Sequence, residues 1–423
     1  MQVKVRRLRE VLDLLKPAVP RKTALPVLVN VLLKDGKAIA TDLESAVIID
    51  LPEAQEACLL PLHGAIQLLK YIPGNEDITL ERKRGWLNLT WPGGSASYES
   101  PDPKDYPPIP EFEPQVQGDL DGDAFLSALT SVVGYCSTED SRPVLNGVTT
   151  FLGETLEFMG ADGYRLAYQT LAAAFPGKER VIIPARAIHL LNHLWGKTAK
   201  PAQVAAEASL VEIITAKRLL NLALDSALGN GSLRLSFGEV TMLTKPIQGE
   251  PPDFKKVMEL QEAPVTQAAV FAPEFERAVR RIKQVAEKGQ DTARLILNDD
   301  SITITAKNDE QQAEATVPTV TTMGTPNRIG VNASYLLEYL QGKDGIVTIE
   351  LRSGTAPLSL RHKSSPLVLI MPMSVQWDDE KPPSAKKTEP EPSVEEPAEA
   401  EQETGEQEPV TESGKPAKRK RKR

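Results

Sequence analysis

Four histidines, at positions 63, 189, 193 and 362, and two cysteines, Cys58 and Cys136, are the scarcest reactive side chains in this chain. His189 and His193 stand four apart, the spacing that puts two imidazoles on one helix face, but a zinc centre needs further ligands. No His-Glu-x-x-His occurs, no cysteine pair at zinc spacing, and no Gly-rich loop followed by Lys and Ser or Thr. Glu44 and Asp162 would make an acid pair for metal-assisted hydrolysis only if separate parts of the chain brought them together, so a nuclease is the remote alternative. No metal and no cofactor is expected.

What recurs is positive charge. Arg277, Arg281 and Lys288 lie within about 40 degrees of one another at 3.6 residues per turn. Arg186, His189, His193 and Lys197 share one side of another helix, and Arg6, Arg7, Arg9 and Lys16 crowd a third. Stripes of this kind attract phosphate without reading bases. Each one, taken alone, is also what a solvated helix face looks like.

The elements that carry these stripes come three times. First helices read Val5 to Lys16, Asp121 to Tyr135 and Pro273 to Lys288; second helices read Pro61 to Ile72, Pro184 to Trp195 and Val331 to Leu340. Between them lie strand pairs with apolar residues at period two, such as Val27, Val29 and Val31 followed by Ile39, reversing at Asp35-Gly36, Gly153-Glu154 and Asp299-Asp300. Each pair ends at a polar turn in a corresponding place: Asp42-Leu43-Glu44, Asp162-Gly163-Tyr164 and Asn308-Asp309-Glu310. Asx side chains that bond nearby backbone account for all three.

A chain of 423 residues with 41% apolar residues accommodates three copies of about 120 residues. Proline-rich stretches, Asp105-Tyr106-Pro107-Pro108-Ile109-Pro110 and Pro251-Pro252-Asp253-Phe254, read as stiff extended connectors. They place boundaries near 117 and 262, giving domains 1–117, 118–261 and 262–377. The second copy is the longest, and Leu219 to Gly238, with its Gly229-Asn230-Gly231 turn, reads as a segment the others lack. Residues 378–423 hold 13 acidic and 10 basic residues, seven prolines and no aromatic, a composition expected to be disordered. Without this tail the chain carries 39 basic against 45 acidic residues. That balance argues against a protein whose entire surface binds nucleic acid. No charged and apolar leader opens the chain, and no apolar run approaches the roughly 18 residues of a membrane span. Cytoplasmic residence, nucleoid-associated and away from membrane, is the expectation.

At this point particular residues carry a resemblance. Leu145-Asn146-Gly147, followed by Gly160-Ala161-Asp162-Gly163-Tyr164-Arg165-Leu166-Ala167, is similar to the middle-domain signature of the bacterial sliding clamps, the beta subunits of DNA polymerase III. Thr23-Ala24-Leu25-Pro26-Val27-Leu28 with Thr41-Asp42-Leu43-Glu44 resembles their first domain. Gly330-Val331-Asn332-Ala333-Ser334-Tyr335-Leu336-Leu337 and Leu369-Ile370-Met371-Pro372-Met373 resemble the third. Each motif is short, and the ordered set runs from Met1 to about Val375.

The resemblance implies an α+β fold of three repeated DNA-clamp domains, with helices lining a ring and antiparallel sheets outside. It implies a head-to-tail homodimer that encircles double-stranded DNA without sequence preference and acts as a non-catalytic processivity factor in DNA replication. Its implied partners are DNA polymerase III alpha, clamp-loader subunits, other polymerases and repair proteins, docked through linear peptides. A clamp paralogue serving a specialised polymerase or mobile element is the nearer alternative. The peptide cleft implied between the second and third domains comprises Leu145, Gly163, Tyr164, Arg165, Leu166, Pro252, Lys256, Val257, Asn332, Tyr335, Leu369, Ile370, Met371, Pro372 and Met373. Leu, Ile and Met suit an adaptable apolar groove, with Arg165 and Asn332 placed to hold polar groups of a peptide. For DNA, Lys22 and Arg142 match loop positions that face the duplex in the family, although Pro143 and Val144 stand where some relatives have aromatic residues. Arg186, Lys197, Arg277 and Arg281 follow from helical phase. The tail departs from the family, whose members commonly stop shortly after the Met-Pro-Met segment. This acidic, proline-rich stretch ending in Lys418 to Arg423 has the composition to contact DNA, recruit an acidic partner, fold back near the cleft or act only as a solubilising appendage; contact of its basic end with DNA outside the ring is the expectation.

Overall fold

The computed structural model describes residues 1–198, 218–225, 231–259, 263–363 and 365–377. Within them the threefold repeat resolves into six units, each a strand, a helix and three strands. Copy one runs β1 (Gln2–Lys4), α1 (Val5–Leu15), β2 (Asn30–Lys34), β3 (Lys37–Thr41) and β4 (Ser45–Asp50), then β5 (Cys58–Pro61), α2 (Leu62–Leu69), β6 (Asp77–Lys83), β7 (Trp86–Trp91) and β8 (Gly94–Glu99). Copy two runs β9 (Val116–Asp121), α3 (Gly122–Val133), β10 (Gly147–Leu152), β11 (Leu156–Ala161) and β12 (Arg165–Leu171), then β13 (Glu179–Pro184), α4 (Ala185–Thr198), β14 (Leu219–Asp225), β15 (Ser232–Phe237) and β16 (Val240–Thr244). After a short α5 (Phe254–Glu259), copy three runs β17 (Thr266–Phe271), α6 (Ala272–Lys288), β18 (Thr292–Leu297), β19 (Ser301–Lys307) and β20 (Gln312–Gly324). It ends with β21 (Asn327–Asn332), α7 (Ala333–Leu340), β22 (Ile346–Leu351), β23 (Leu358–Arg361) and β24 (Leu367–Ile370).

The two units of a copy exchange their first strands. β1 joins β6-β7-β8 while β5 joins β2-β3-β4, and the same crossing pairs β9 with β14-β15-β16 and β13 with β10-β11-β12. Each unit's sheet takes a strand from the other unit, so the two units of a copy are bound together by backbone hydrogen bonds. Helices cover the sheets with one apolar stripe each. Val5, Leu8, Val11, Leu12 and Leu15 are buried on α1, and Phe275, Val279, Ile282 and Ala286 on α6. Burying each large side chain of this kind contributes about 1.5–3 kcal/mol. In copy two, Trp195 of α4 lies against the start of α3, where a Cβ on Gly122 would stand 2.0 Å from the indole. Trp195 Nε1 donates to Asp123 Oδ1 at 2.7 Å and the Arg218 guanidinium stacks 3.8 Å from its ring, fastening the two helices.

Copies join edge to edge. β4 pairs antiparallel with β16, Ser45 opposite Thr244, and β12 pairs with β24, Arg165 opposite Ile370. Two strands in the corresponding places, β8 and the first half of β20, pair on one side only.

The structure corrects several readings. Val27 and Val29 lie in a 3-10 turn, Pro26–Val29, not a strand. Pro26 presets the backbone angle, and Asn30 Nδ2 donates to the Val27 carbonyl at 3.0 Å. Leu219 to Gly238 is no addition, because β14 and β15 fill the places of β6–β7 and β22–β23. The extra length of copy two falls in 199–217, which with Gly229, Asn230 and the tail 378–423 lies outside the described residues. The second connector is not extended throughout: Asp253 Oδ1 accepts the Lys256 N–H at 3.1 Å and starts α5.

Candidate partner cleft and nucleic-acid face

The three Asx turns form as the sequence predicts and set the junctions. Asp42 Oδ1 accepts from the Glu44 and Ser45 N–H groups at 3.0 and 2.8 Å, Asp162 Oδ1 from Tyr164 and Arg165 at 2.9 Å each, and Asn308 Oδ1 from Glu310 and Gln311 at 2.9 and 2.8 Å. Gly163 holds φ at 94°, and Arg142 packs so closely over it that a Cβ would meet Nη1 at 2.9 Å. Beyond the turn, the Met371 N–H donates to the Tyr164 carbonyl at 2.8 Å, which carries β24 along β12.

Most of the expected cleft residues converge on this junction, in layers. Leu145, Leu166 and Leu369 are buried with Met159, Leu367 and Phe254 in one apolar cluster, so Phe254 of α5 covers the floor. Ile370 is buried in the main core. Tyr164, Val257 and Met371 are exposed apolar side chains at 63%, 37% and 46% exposure, with Pro252 and Lys256 exposed beside Val257 in the chain. Pro372 and Met373 are half-buried, and the Met373 N–H donates to the Gly330 carbonyl at 2.7 Å, tying the segment to β21.

Arg165 has a different place from the one expected. Its side chain is 11% exposed, with Nε donating to Asp162 Oδ2 at 2.9 Å and Nη1 to Glu338 Oε2 on α7. Its guanidinium carbon sits 4.5 Å from the Tyr335 ring and 5.2 Å from that of Tyr135. Burial works against its charge, but the Glu338 and Asp162 bonds outweigh that and raise its pKa further. Tyr335 is raised by burial, and burial pushes Tyr135 up to about 12. Arg165 is thus a latch joining copies two and three. Asn332 is likewise occupied, since its Oδ1 accepts the Tyr335 N–H at 3.1 Å and caps α7. Sequence reasoning missed Tyr135, Glu338 and Phe254. The Asp162 to Arg165 spacing hinted at one ion pair, but nothing in the sequence pointed to Glu338, 173 residues away from Arg165.

Basic residues divide sharply between copies. On α1, Arg7 grips Glu239 of copy two at 2.8 and 2.6 Å and donates to the Asp50 carbonyl. Arg9 donates to the Leu69 and Ile72 carbonyls and so caps α2, while Arg6 pairs with Glu10. The expected stripe on α1 is therefore largely structural; Lys16 is exposed. On α6, Arg277, Arg281 and Lys288 are exposed along one face, with Arg277 4.0 Å from Glu274. On α4, His189 and Lys197 are exposed, while Arg186 is paired with Asp42 of copy one at 2.7 Å. Lys22 and Arg142 are exposed in loops. Asp162 is committed to its turn and to Arg165. Among the described residues no helix is long and apolar enough to cross a membrane.

Repeated copies and sheets continued across the junctions between them define the clamp-repeat class of fold. Residues 119–253 match the model of the DNA polymerase III beta subunit, central domain, and residues 262–374 that of its C-terminal domain, together more than half of the chain. The chain belongs to this family, the beta sliding clamps. It is 25% identical over 340 residues to the beta sliding clamp of Caulobacter vibrioides strain NA1000, covering 76% of this chain and 84% of that one. Against the Escherichia coli K12 clamp it is 23% identical over 367 residues, covering 83% and 93%. Its fold matches the DNA polymerase III subunit beta of Pseudomonas aeruginosa with a TM-score of 0.77 at 23% identity, covering 89% and 100%. The sliding clamp of Bacillus subtilis matches at 0.75 and 17%, covering 89% and 99%.

Proposed function

We propose that two copies of this chain, each with domains divided near 117 and 262, close head to tail into a ring around duplex DNA. The ring slides and holds DNA polymerase III at the primer end. One observation carries the reading: β4–β16 and β12–β24 repeat one kind of join, and the two strands in the places of a third join, β8 and the first half of β20, each pair on one side only among the described residues. Head-to-tail contacts close only when the rotation per copy closes. In this reading six copies, three in each of two chains, complete the turn.

The chemistry needed is slight. Exposed Arg281, Lys288, Arg277, Lys197, Lys22 and Arg142 supply salt-dependent attraction to phosphate, and the absence of base reading permits movement. Arg186, shared with Asp42, contributes less. Encirclement prevents loss, and a tethered polymerase meets the primer end at a raised effective concentration, which is processivity. No catalytic step belongs to the chain itself in this reading.

Linear peptides of the polymerase, the clamp loader and repair proteins dock on the rim formed by Tyr164, Val257 and Met371, with Lys256 and Pro252 beside it. The buried floor stiffens that rim. Sedimentation analysis tests the ring: a single species of two chains is expected, and a monomer or an open-ended series would refute closure. Met371→Ala with Val257→Ala is expected to weaken a polymerase-derived peptide roughly tenfold or more, as for two partly buried apolar contacts. Unchanged affinity would place the docking site elsewhere.

A further inference from the structure

On the Asx side the two joins inside the chain share a register, and on the opposite strand the β4–β16 join supplies the register for the third, since β16 and β8 follow the same two-residue reversal. Ser45 and Arg165, each three residues after the Asx of its turn, stand opposite Thr244 and Ile370. The third Asx is Asn308, so the corresponding residue is Gln311. On the other strand, Thr244 lies four residues after Val240, which pairs with Phe237 across a two-residue reversal. The same reversal pairs Trp91 with Gly94, and four residues after Gly94 is Tyr98.

Resting on the ring reading, we propose that β20 of one protomer pairs with β8 of the next with Gln311 opposite the partner's Tyr98. This register sets Ala313 opposite the partner's Ala96 and Glu310 directly opposite the partner's Glu99. Ala313, Ala315 and Val317 point toward the covered face of β20, as Ala96 and Tyr98 do on β8, while Gln312, Glu314, Ser95, Ser97 and Glu99 are exposed. The inward faces therefore agree, and slippage by one residue is excluded because it would turn every side chain over. Backbone parity agrees as well. The Lys245 and Met371 N–H groups donate to the carbonyls of Glu44 and Tyr164 at 3.1 and 2.8 Å, and Glu310 holds the corresponding place after Asn308. Pro318, without an N–H, points its nitrogen to the open side and ends the ladder.

The consequence is a seam unlike the internal ones. Where Val240, Met242 and Thr244 meet Ile49, Val47 and Ser45, mostly fully buried, the outer seam offers only half-buried Gly94, Ala96 and Tyr98 on the covered face of one strand. It also places two carboxylates opposite each other at its turn end. Like charges directly opposite destabilise a strand pair, so the ring's closing contact is its weakest, and weakest at low ionic strength.

The test uses the full chain carrying Ala96→Cys and Ala313→Cys. These positions form a non-hydrogen-bonded pair, with Cα atoms about 4.5 Å apart, inside the range a disulfide spans. Mild oxidation is expected to give a covalent two-chain product, absent from either single variant. If Ala96→Cys with Ala315→Cys cross-links instead, the register is overturned and the ring stands. If neither pair cross-links in a species of two-chain mass, the edge pairing is overturned; a monomer overturns the ring reading itself. Independently, Glu310→Gln is expected to tighten association roughly two- to fivefold per seam at low salt and to lose that gain above about 0.5 M salt. No tightening at low salt would overturn the opposed carboxylates.

Discussion

Removing the Arg165 side chain should loosen the junction of copies two and three and leave that of copies one and two alone. Its ion pair with Asp162 is enclosed, the two side chains being 11% and 15% exposed. Breaking a buried pair by deleting one partner costs about 3–5 kcal/mol, because the remaining charge loses its compensation. Glu338, at 54% exposure, adds little, since solvent screens it. Stacking against Tyr335 and Tyr135 adds on the order of 1 kcal/mol, while water entering beside Asp162 returns some of the loss. Asp162 and Tyr135 belong to copy two itself, so only the Tyr335 stack and the screened Glu338 pair bear on the junction; about 1 kcal/mol for Arg165→Ala corresponds to an opening equilibrium raised about fivefold. Hydrogen exchange reads it directly. The Met371 amide, which donates to Tyr164, should exchange about fivefold faster, while the Lys245 amide, which donates to Glu44 at the other junction, stays unchanged. Arg165→Lys keeps the charge but loses the planar fork and the stack, so it should fall between. An acceleration below about twofold in Arg165→Ala would mean that Arg165 does not hold the junction.

Other consequences are accessible to simple measurements. Burial pushes Tyr135 up to about 12, so the fold favours its neutral phenol. The unfolded chain ionises near 10, and that contribution to stability is present below pH ~10 and lost as pH rises toward 12. Denaturant unfolding should show this alkaline loss, reduced in Tyr135→Phe; an identical profile in the variant would remove Tyr135 as its cause. Burial likewise raises the thiols, Cys58 to about 11 and Cys136 to about 12. At pH 8 iodoacetamide should label neither until denaturant is added, and prompt labelling of the native protein would contradict this. Arg281→Glu with Lys288→Glu should weaken DNA association at low salt and reduce the slope of log K against log salt by roughly 2–4, whereas an unchanged slope would place the phosphate contacts elsewhere.

What could be read from the sequence was local. The Asx turns at 42, 162 and 308, the reversal at Asp35-Gly36 and the apolar stripe of α6 depend on residues within a few positions of one another, and each forms as expected. Val27 and Val29 show the limit of local patterning, because a proline at the first position of a turn outweighs period-two valines. Strand exchange between units, and the β4–β16 and β12–β24 joins, rest on pairing between distant residues that no spacing reveals. The same distance hid the work of Arg7, Arg9 and Arg165. A charged side chain looks identical in the sequence whether it faces phosphate, a carbonyl at a helix end or a carboxylate in another copy. As a candidate site, the positions around the Asp162 turn and the Met-Pro-Met segment stand out only through their resemblance to a family.

Retention on circular DNA tests the central claim most directly. Protein assembled by a clamp loader onto a nicked circle should remain bound at salt concentrations that abolish ordinary phosphate contacts, and should leave rapidly once the circle is cut to a linear form. Departure from circular and linear DNA at equal rates would contradict encirclement.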